Sequence, residues 1–273
     1  MKLSLSVRIA ETAARKDTAA LPLEQLAPLA RVNGFQGLSM RASAVSVASP
    51  PERVRQVKTL LDRLGLSVSM VMGNVALAAN TPDATDALRD IAPHLDLAEA
   101  LGASLVRIMT QSEADMPHLR RAADAAAERG LTLAHQTHWG TLCETVDQAI
   151  ELVRTVGRRN FGITYEPANL RACGGPYGPD AIARLAPHLV NVYFQNVRHD
   201  ENGSHVFRTR LRGPVTLDYV ALDDPRGIDV RPLVAALREA GYDGWFSVHQ
   251  PLRDGQTVPQ AVDEAARVFR PLI

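Results

Sequence analysis

Eight short β-type runs alternate with eight helical patterns along the whole of this 273-residue chain. The β-type runs fall near residues 2–8, 35–40, 66–72, 104–109, 131–136, 161–166, 189–195 and 245–249. The helical patterns fall near residues 22–33, 51–64, 82–101, 113–129, 141–157, 178–187, 229–240 and 257–270. Eight such repeats predict a single α/β domain over residues 1–273, a closed (β/α)8 TIM barrel. The alternative is an open doubly wound sheet, which usually has fewer strands and a Gly-rich motif after the first one.

Bulk composition narrows the class of protein. Hydrophobic residues make up 46% of the chain, and 30 basic residues balance 30 acidic ones, so no basic field indicates nucleic acid. The two cysteines, Cys143 and Cys173, have neither metal-type spacing nor a disulfide framework. The N-terminus lacks the apolar core of a signal peptide, and no run is long enough for a membrane span. We therefore expect a cytoplasmic protein with neither a nucleic-acid nor a membrane partner.

Polar side chains follow four of the β-type runs at the point where each strand should end. These segments are residues 131–138, 161–166, 189–196 and 245–250. Because alternate residues of a strand share one face, Gln136 and His138 point the same way, as Ser247 and His249 do. The carboxyl ends of parallel strands form the active-site face of an α/β barrel. These positions are therefore the candidates for chemistry.

Arginines form a second signal. Arg8 and Arg107 lie on predicted strands, whereas most other arginines lie in loops and are better explained as solvated surface charges. The planar guanidinium recognises carboxylate and phosphate, so this pair predicts an anionic substrate. The longest stretch without a regular pattern, residues 198–226, follows the seventh run and is expected to be an irregular binding loop.

Five short motifs follow one another along the chain in a characteristic order. They are Gly34–Leu38, Leu101–Ala103 with Val106–Arg107, Gln136–Thr141, Tyr165–Leu170 and Gly241–Gly244. Their order resembles the sugar isomerase/epimerase superfamily with its xylose-isomerase-like barrel, which also includes endonuclease-IV-like proteins. The resemblance implies a role in carbohydrate metabolism and a small sugar-like substrate. It also implies a homo-oligomer, since barrels of this family are often dimers or tetramers.

The resemblance implies a divalent metal held by Glu, Asp, His and Glu at strands five to eight. The corresponding positions here are Gln136, Glu166, Tyr193 (or Gln195 or Asn196) and His249. Only Glu166 keeps a carboxylate. The amide of Gln136 does not titrate, whereas the imidazole of His249 titrates near neutral pH.

Two interpretations of the altered ligand set stay open. Gln136, Glu166 and His249, with His138, form a mixed nitrogen and oxygen set that suits Mn, Zn or Co. Alternatively, these groups hydrogen-bond an organic substrate and no metal is involved.

The sequence thus predicts a sugar isomerase/epimerase-like enzyme that removes a proton next to a carbonyl, with Glu166, His249 and His138 as catalytic residues. The expected substrate-binding residues are Arg8, Arg107, Gln136, Trp139, Asn169, Tyr193, Gln195 and Asn196. Two alternatives are a lyase or dehydratase on the same barrel and a non-catalytic sugar-binding barrel. A phosphodiesterase is disfavoured, because its metal cluster needs more His and carboxylate ligands than this chain offers.

Overall fold

The computed structural model of the chain describes residues 1–12 and 15–273, and its centre is a closed barrel of eight parallel strands. The barrel strands are β1 (Lys2–Ser6), β2 (Gly37–Met40), β3 (Ser67–Val71), β4 (Leu105–Ile108), β5 (Thr132–Gln136), β6 (Phe161–Tyr165), β7 (Leu189–Phe194) and β11 (Trp245–Val248). β1 closes the barrel by pairing with both β2 and β11. The predicted TIM barrel is confirmed, and each of the eight predicted runs contains one barrel strand.

Ten α-helices follow or precede these strands. They are α1 (Leu23–Val32), α2 (Pro51–Leu64), α3 (Val75–Ala79), α4 (Ala92–Leu101), α5 (Met116–Glu128), α6 (Val146–Val156), α7 (Pro167–Ala172), α8 (Pro179–Leu185), α9 (Arg231–Glu239) and α10 (Val258–Phe269) among the described residues. Capping explains several of the boundaries. The Thr145 and Gln148 side chains cap the start of α6 reciprocally, and Gly157 ends it in the left-handed conformation.

The predicted helix over residues 82–101 is wrong in its first half. Pro82–Leu88 forms a 3₁₀-helix, and α4 begins only at Ala92. Pro93 occupies the first turn of α4, where its missing N–H costs nothing, but it prevents a continuous α-helix through this region. The short helices α3 and α7 were also not expected; both lie directly after barrel-strand segments and contribute residues to the site.

The prediction of an irregular loop over residues 198–226 is wrong. Three antiparallel strands form there: β8 (Val197–His199), β9 (His205–Thr209) and β10 (Gly213–Tyr219), in the order β8-β10-β9. We call them the cap sheet. Each of these strands has β-branched or aromatic residues next to charged or polar ones. The strands are short and lack a regular alternation of apolar and polar residues, so the sequence pattern does not predict them.

Glu144 fastens the cap sheet to the barrel. Its buried carboxylate accepts hydrogen bonds from the backbone N–H groups of Gly140 (2.6 Å), Arg210 (2.7 Å) and Leu211 (3.0 Å). The last two lie in the turn between β9 and β10, so one side chain joins this turn to the loop after β5. A carboxylate that accepts several backbone N–H bonds is a strong anchor.

The barrel interior is polar, as the alternation along the strands predicts. Ser4 and Ser69 hydrogen-bond across it at 2.7 Å, and Ser39 hydrogen-bonds the Tyr193 hydroxyl at 2.6 Å. The opposite faces of the strands pack against the helices in one large apolar core. Among the described residues, no helix combines the length and apolar character that crossing a membrane requires.

Candidate active site

A cavity of about 240 Å³ opens at the carboxyl end of the barrel, beneath the cap sheet; we call it the central cavity. Its lining includes eight of the predicted site residues: Arg8, Arg107, Gln136, His138, Trp139, Glu166, Gln195 and His249. The strand ends therefore bring most of the predicted side chains together. From the cap sheet, His205, Val206, Phe207 and Tyr219 complete the wall.

Glu166 lies at the bottom of this cavity and is completely buried. Its Oε2 accepts hydrogen bonds from the Gln136 amide and from Asn169 Nδ2, the latter at 2.9 Å. Its Oε1 has no hydrogen-bond partner among the described residues. Burial raises the pKa of Glu166 to about 8, although Arg8 and Arg107 counteract part of this rise. At neutral pH the carboxyl group is therefore mostly protonated, with one oxygen held and the other free.

His249 provides the second titratable group. Its Nδ1 hydrogen-bonds Ser6 Oγ at 2.9 Å, and its ring stacks on Tyr193 with the ring centroids 4.1 Å apart. Burial, followed by repulsion from Arg8, lowers the pKa of His249 well below its ordinary value. The imidazole is therefore neutral at pH 7. Since Nδ1 is engaged by Ser6, Nε2 is the nitrogen left for a ligand.

Both ring nitrogens of His138 are engaged. Nδ1 hydrogen-bonds the Trp139 carbonyl at 2.7 Å, and Nε2 hydrogen-bonds the Asn80 side chain at 2.9 Å. The Asn80 oxygen in turn accepts from Arg107. Burial lowers the pKa of His138 well below its ordinary value. The structure thus places this predicted catalytic histidine in a chain of hydrogen bonds at the cavity wall.

Arg8 follows β1 and extends across the barrel mouth. Its Nη1 donates to Gln195 Oε1 at 2.9 Å and to the His249 carbonyl at 3.5 Å, and its Nη2 donates to the Tyr219 hydroxyl at 2.9 Å. Its Nε is buried without a partner among the described residues. Burial opposes the charge, yet Tyr219, Glu166 and Glu11 raise the pKa of Arg8, so the guanidinium stays cationic.

The other two arginines of the cavity differ in their partners. Arg41 forms a buried, two-pronged ion pair with Glu11, with N···O distances of 2.6 and 3.0 Å. Among the described residues, the acceptors of Arg107 are all neutral: Met72 Sδ, the Leu77 carbonyl and Asn80. Burial lowers the pKa of Arg107 to about 10, which leaves it charged at neutral pH. Within the described part of the chain, Arg8 and Arg107 are thus the two arginines of the cavity without an ionised partner in direct contact.

Three predicted substrate-binding residues lie outside the central cavity lining. Tyr193 is buried beneath His249, and Asn169 holds Glu166 and the Thr137 carbonyl. Asn196 instead holds the segment after the cap sheet, accepting from the Ile228 N–H at 2.7 Å. Gly227 passes so close that a Cβ there would lie 2.0 Å from Asn196 Oδ1. All three therefore support other parts of the site.

Several lining residues were not predicted from the sequence: Glu11, Lys16, Asn80, Phe207 and Tyr219. Lys16 and Glu11 come from the loop after β1, where no periodic pattern marks them. The proximity of Arg8, followed by burial, lowers the pKa of Lys16 to about 7. Phe207 stacks on Trp139 with centroids 5.3 Å apart, so recognising the cap sheet would have identified it.

Comparison with known families shows to which family the chain belongs. A model of the xylose isomerase-like TIM barrel family matches residues 27–272. The chain belongs to this family. The predicted resemblance is therefore confirmed, and solved members share the fold.

Three of the similar proteins carry names that concern catabolism or dehydration. The rhizopine catabolism protein MocC of Rhizobium meliloti is 26% identical, with 87% of this chain and 77% of that protein covered. An inosose dehydratase of Lacticaseibacillus casei is 21% identical over 72% of this chain and 74% of its own length. The structure of a probable 3-DHS dehydratase, AsbF of Bacillus anthracis, superposes with a TM-score of 0.71 at 17% identity, covering 99% of both chains.

Other solved structures of this fold hold divalent metals. One from Mycobacterium smegmatis is a complex with magnesium; it superposes with a TM-score of 0.71 at 18% identity, covering 99% of this chain and 96% of that one. The IOLI protein structure has a bound zinc atom; it superposes with a TM-score of 0.68 at 15% identity, covering 100% of this chain and 98% of that one. The residues of this chain do not fit such an ion. Within residues 1–12 and 15–273, no three His, Cys, Asp or Glu side chains converge as a metal-holding group. The Gln136 amide donates to Glu166, Arg41 binds both oxygens of Glu11, and Arg8 donates to the Gln195 oxygen.

Proposed function

We propose that this protein is a lyase that removes water from a small, hydroxylated, anionic ketone in the central cavity. The observation that carries the proposal is the pairing of a protonated carboxyl group, Glu166, with a neutral imidazole, His249, in one cavity lined by two unbalanced cations. Two titratable groups whose pKa values are displaced in opposite directions by their surroundings suit the roles of acid and base.

The cavity supports a small anionic substrate. Its volume of about 240 Å³ lies below the roughly 300–1,000 Å³ typical of sites for drug-sized ligands. Arg41 is paired with Glu11, whereas Arg8 and Arg107 contact no carboxylate within residues 1–12 and 15–273. A carboxylate or an enolate oxygen on the ligand would supply the missing negative charge.

The elimination begins with proton removal. His249 Nε2 takes the hydrogen from the carbon next to the ketone, and the electron pair of the broken C–H bond forms an enolate. Arg8 and Arg107 stabilise its oxygen by charge. The neutral state of His249 at pH 7 leaves its nitrogen free to accept this proton.

The hydroxyl group then leaves. As the enolate pair expels the β-hydroxyl, the C–O bond breaks and the Glu166 proton passes to the departing oxygen, which gives water and an unsaturated ketone. The imidazolium of His249 returns its proton to the Glu166 carboxylate, so the pair again holds one proton. Gln136 and Asn169 keep the carboxyl group in place throughout, since both donate to its Oε2.

Isomerisation or epimerisation shares the first step and differs afterwards, because the enolate is then reprotonated on carbon. The names of the similar proteins, inosose dehydratase and 3-DHS dehydratase, support elimination for this chain. The free Oε1 of protonated Glu166 supports it as well, since an acid is needed at the leaving hydroxyl. The isomerase predicted from the sequence is therefore the second candidate.

The test is turnover of inosose and of 3-DHS, the substrates named for the similar proteins, followed by mass spectrometry and by absorbance of the conjugated ketone. Glu166→Gln and His249→Ala should each lower kcat by about 10²–10⁴-fold, the usual contribution of a positioned acid or base. Glu201→Gln and His199→Ala, on the exposed edge of the molecule, serve as matched controls and should turn over normally. Turnover by both site variants at the rate of the controls would exclude this assignment.

A further inference from the structure

Arg8 contacts residues at the ends of β7 and β11, the two barrel strands whose family counterparts are expected to carry metal ligands. Its Nη1 lies 2.9 Å from Gln195 Oε1 and 3.5 Å from the His249 carbonyl oxygen. Both oxygens are thus already paired with a cation. The remaining position on strand five is taken by Gln136, whose amide hydrogen is directed at Glu166. Among the expected ligand groups of the described residues, this leaves one carboxylate oxygen, Glu166 Oε1, and one imidazole nitrogen, His249 Nε2, without a partner, fewer than the three or four protein ligands of a typical metal site.

Charge leads to the same conclusion. Arg8, Arg107 and Arg41 are all close enough to Glu166 to lower its pKa against the effect of burial, and only Arg41 has an ionised partner. Because Glu11 is already paired with Arg41, a divalent ion added beside them would face two fixed positive charges and only the Glu166 carboxyl group. Like charges repel strongly at a few ångströms in a buried site.

Arg8 also has unused donors. A guanidinium carries five N–H groups, and Nη1 uses its two on Gln195 and His249, while Nη2 uses one on Tyr219. Nε–H has no partner among the described residues although it is buried. One Nη2 hydrogen and Nε–H therefore remain. The planar guanidinium can donate these two hydrogens to a pair of oxygens that lie side by side.

We infer that this barrel works without a divalent metal and that the Arg8 guanidinium supplies the positive charge that stabilises the enolate oxygen. Tyr219, Gln195 and the His249 carbonyl hold the guanidinium in position before the ligand arrives. A preorganised cation needs no rearrangement when charge develops on the substrate. This inference rests on the proposed elimination, in which an enolate forms in the same cavity.

Metal content tests the first half of the inference without any activity assay. Purified protein is dialysed against EDTA, then against buffer, and titrated with Mn²⁺ while free ion is followed by electron paramagnetic resonance. We expect no binding at about 0.1 mM protein, a concentration at which a dissociation constant of the order of 10⁻⁴ M is detectable. The variant Arg8→Ala, Gln136→Glu, His249→Glu restores carboxylates and removes the cation, and it should bind Mn²⁺. Stoichiometric Mn²⁺ on the unaltered protein would overturn the inference.

Oxalate tests the second half, because its paired oxygens resemble those of an enediolate. Calorimetry on the metal-free protein should show that Arg8→Met weakens oxalate binding about tenfold or more, while Arg8→Lys, which keeps the charge but not the fork, weakens it less. Arg55→Met, on the exposed face of α2, is the matched control and should bind as the parent does. Circular dichroism of both Arg8→Met and Arg8→Lys checks that each variant is folded. Unchanged oxalate affinity in Arg8→Met would overturn the role of Arg8.

These readouts separate the inference from the proposed function. Metal-free protein that binds oxalate through Arg8 but dehydrates neither ketone would leave the inference standing and exclude the lyase. Normal dehydration that requires a bound metal would support the lyase and exclude the inference of a metal-free site.

Discussion

Replacing Glu166 with Gln should stabilise the folded protein at neutral and alkaline pH. Glu166 is completely buried, and burial raises its pKa from the ordinary value of 4.5 to about 8. Between these two values the folded protein retains a proton that the unfolded chain has released. The free energy of unfolding of the parent therefore falls as the pH rises from 4.5 to 8. Gln does not titrate, so the variant lacks this loss.

The size of the effect follows from the gap between the two pKa values. Each pH unit of the gap corresponds to about 1.36 kcal/mol, so the titration of Glu166 lowers the free energy of unfolding by about 3 kcal/mol at pH 7 and by about 5 kcal/mol above pH 8. These free energies are not reduced for screening by solvent, because the Glu166 side chain is completely buried. The amide fits the site: its oxygen can accept from Gln136 and Asn169 where Oε2 does now.

Urea unfolding followed by circular dichroism at pH 5, 7 and 9 measures this directly. The two proteins should have similar free energies of unfolding near pH 5, and Glu166→Gln should become more stable by about 3 kcal/mol at pH 7. Glu201→Gln, which is exposed, should follow the parent at every pH. A stability difference that does not change with pH, or a variant less stable than the parent at pH 9, would refute the reasoning about Glu166.

Three further predictions concern the acid, the ring beneath the base and the cap sheet. Initial rates from pH 6 to 10 should show kcat/KM falling above about pH 8, as Glu166 loses the proton it donates; a rate that rises through pH 8 would contradict its role as acid. Tyr193→Phe keeps the stack on His249 but loses the 2.6 Å hydrogen bond to Ser39, so chemical denaturation should show a loss of about 1 kcal/mol with kcat nearly unchanged. Glu144→Ala removes the acceptor of three backbone N–H groups, so KM should rise several-fold and proteolysis should cut the turn between β9 and β10 faster; equal cleavage in both proteins would refute this anchor.

The barrel and the position of its site could be predicted from the sequence because local signals agree with the fold. Short β-type runs, each ending in polar residues, specify parallel strands and the end at which those residues meet. Glu166 and His249 lie in such runs, and both line the central cavity. These two positions needed no information from distant parts of the chain.

The surroundings of these residues could not be predicted in the same way. The hydrogen bond between His138 and Asn80 joins residues 58 positions apart, and Asn80 lies just after a five-residue helix with no periodic pattern. The contact between Arg8 and Tyr219 spans 211 positions and depends on the cap sheet. Pairings of this kind arise from tertiary packing, which local propensity does not encode. These long-range contacts determine which histidine nitrogen remains free to bind a ligand and which arginine has no carboxylate partner.

The mass of the product formed in D₂O tests the central claim most directly. The protein is incubated with a ketone that has a hydrogen on the α-carbon and a hydroxyl on the β-carbon, and the product is analysed by mass spectrometry. Elimination by the pair of Glu166 and His249 predicts a product lighter by one water, formed at a rate that Glu166→Gln lowers by about 10²-fold or more. A product of the substrate's own formula that carries deuterium on carbon, with no loss of water, would contradict the lyase and indicate an isomerase or epimerase.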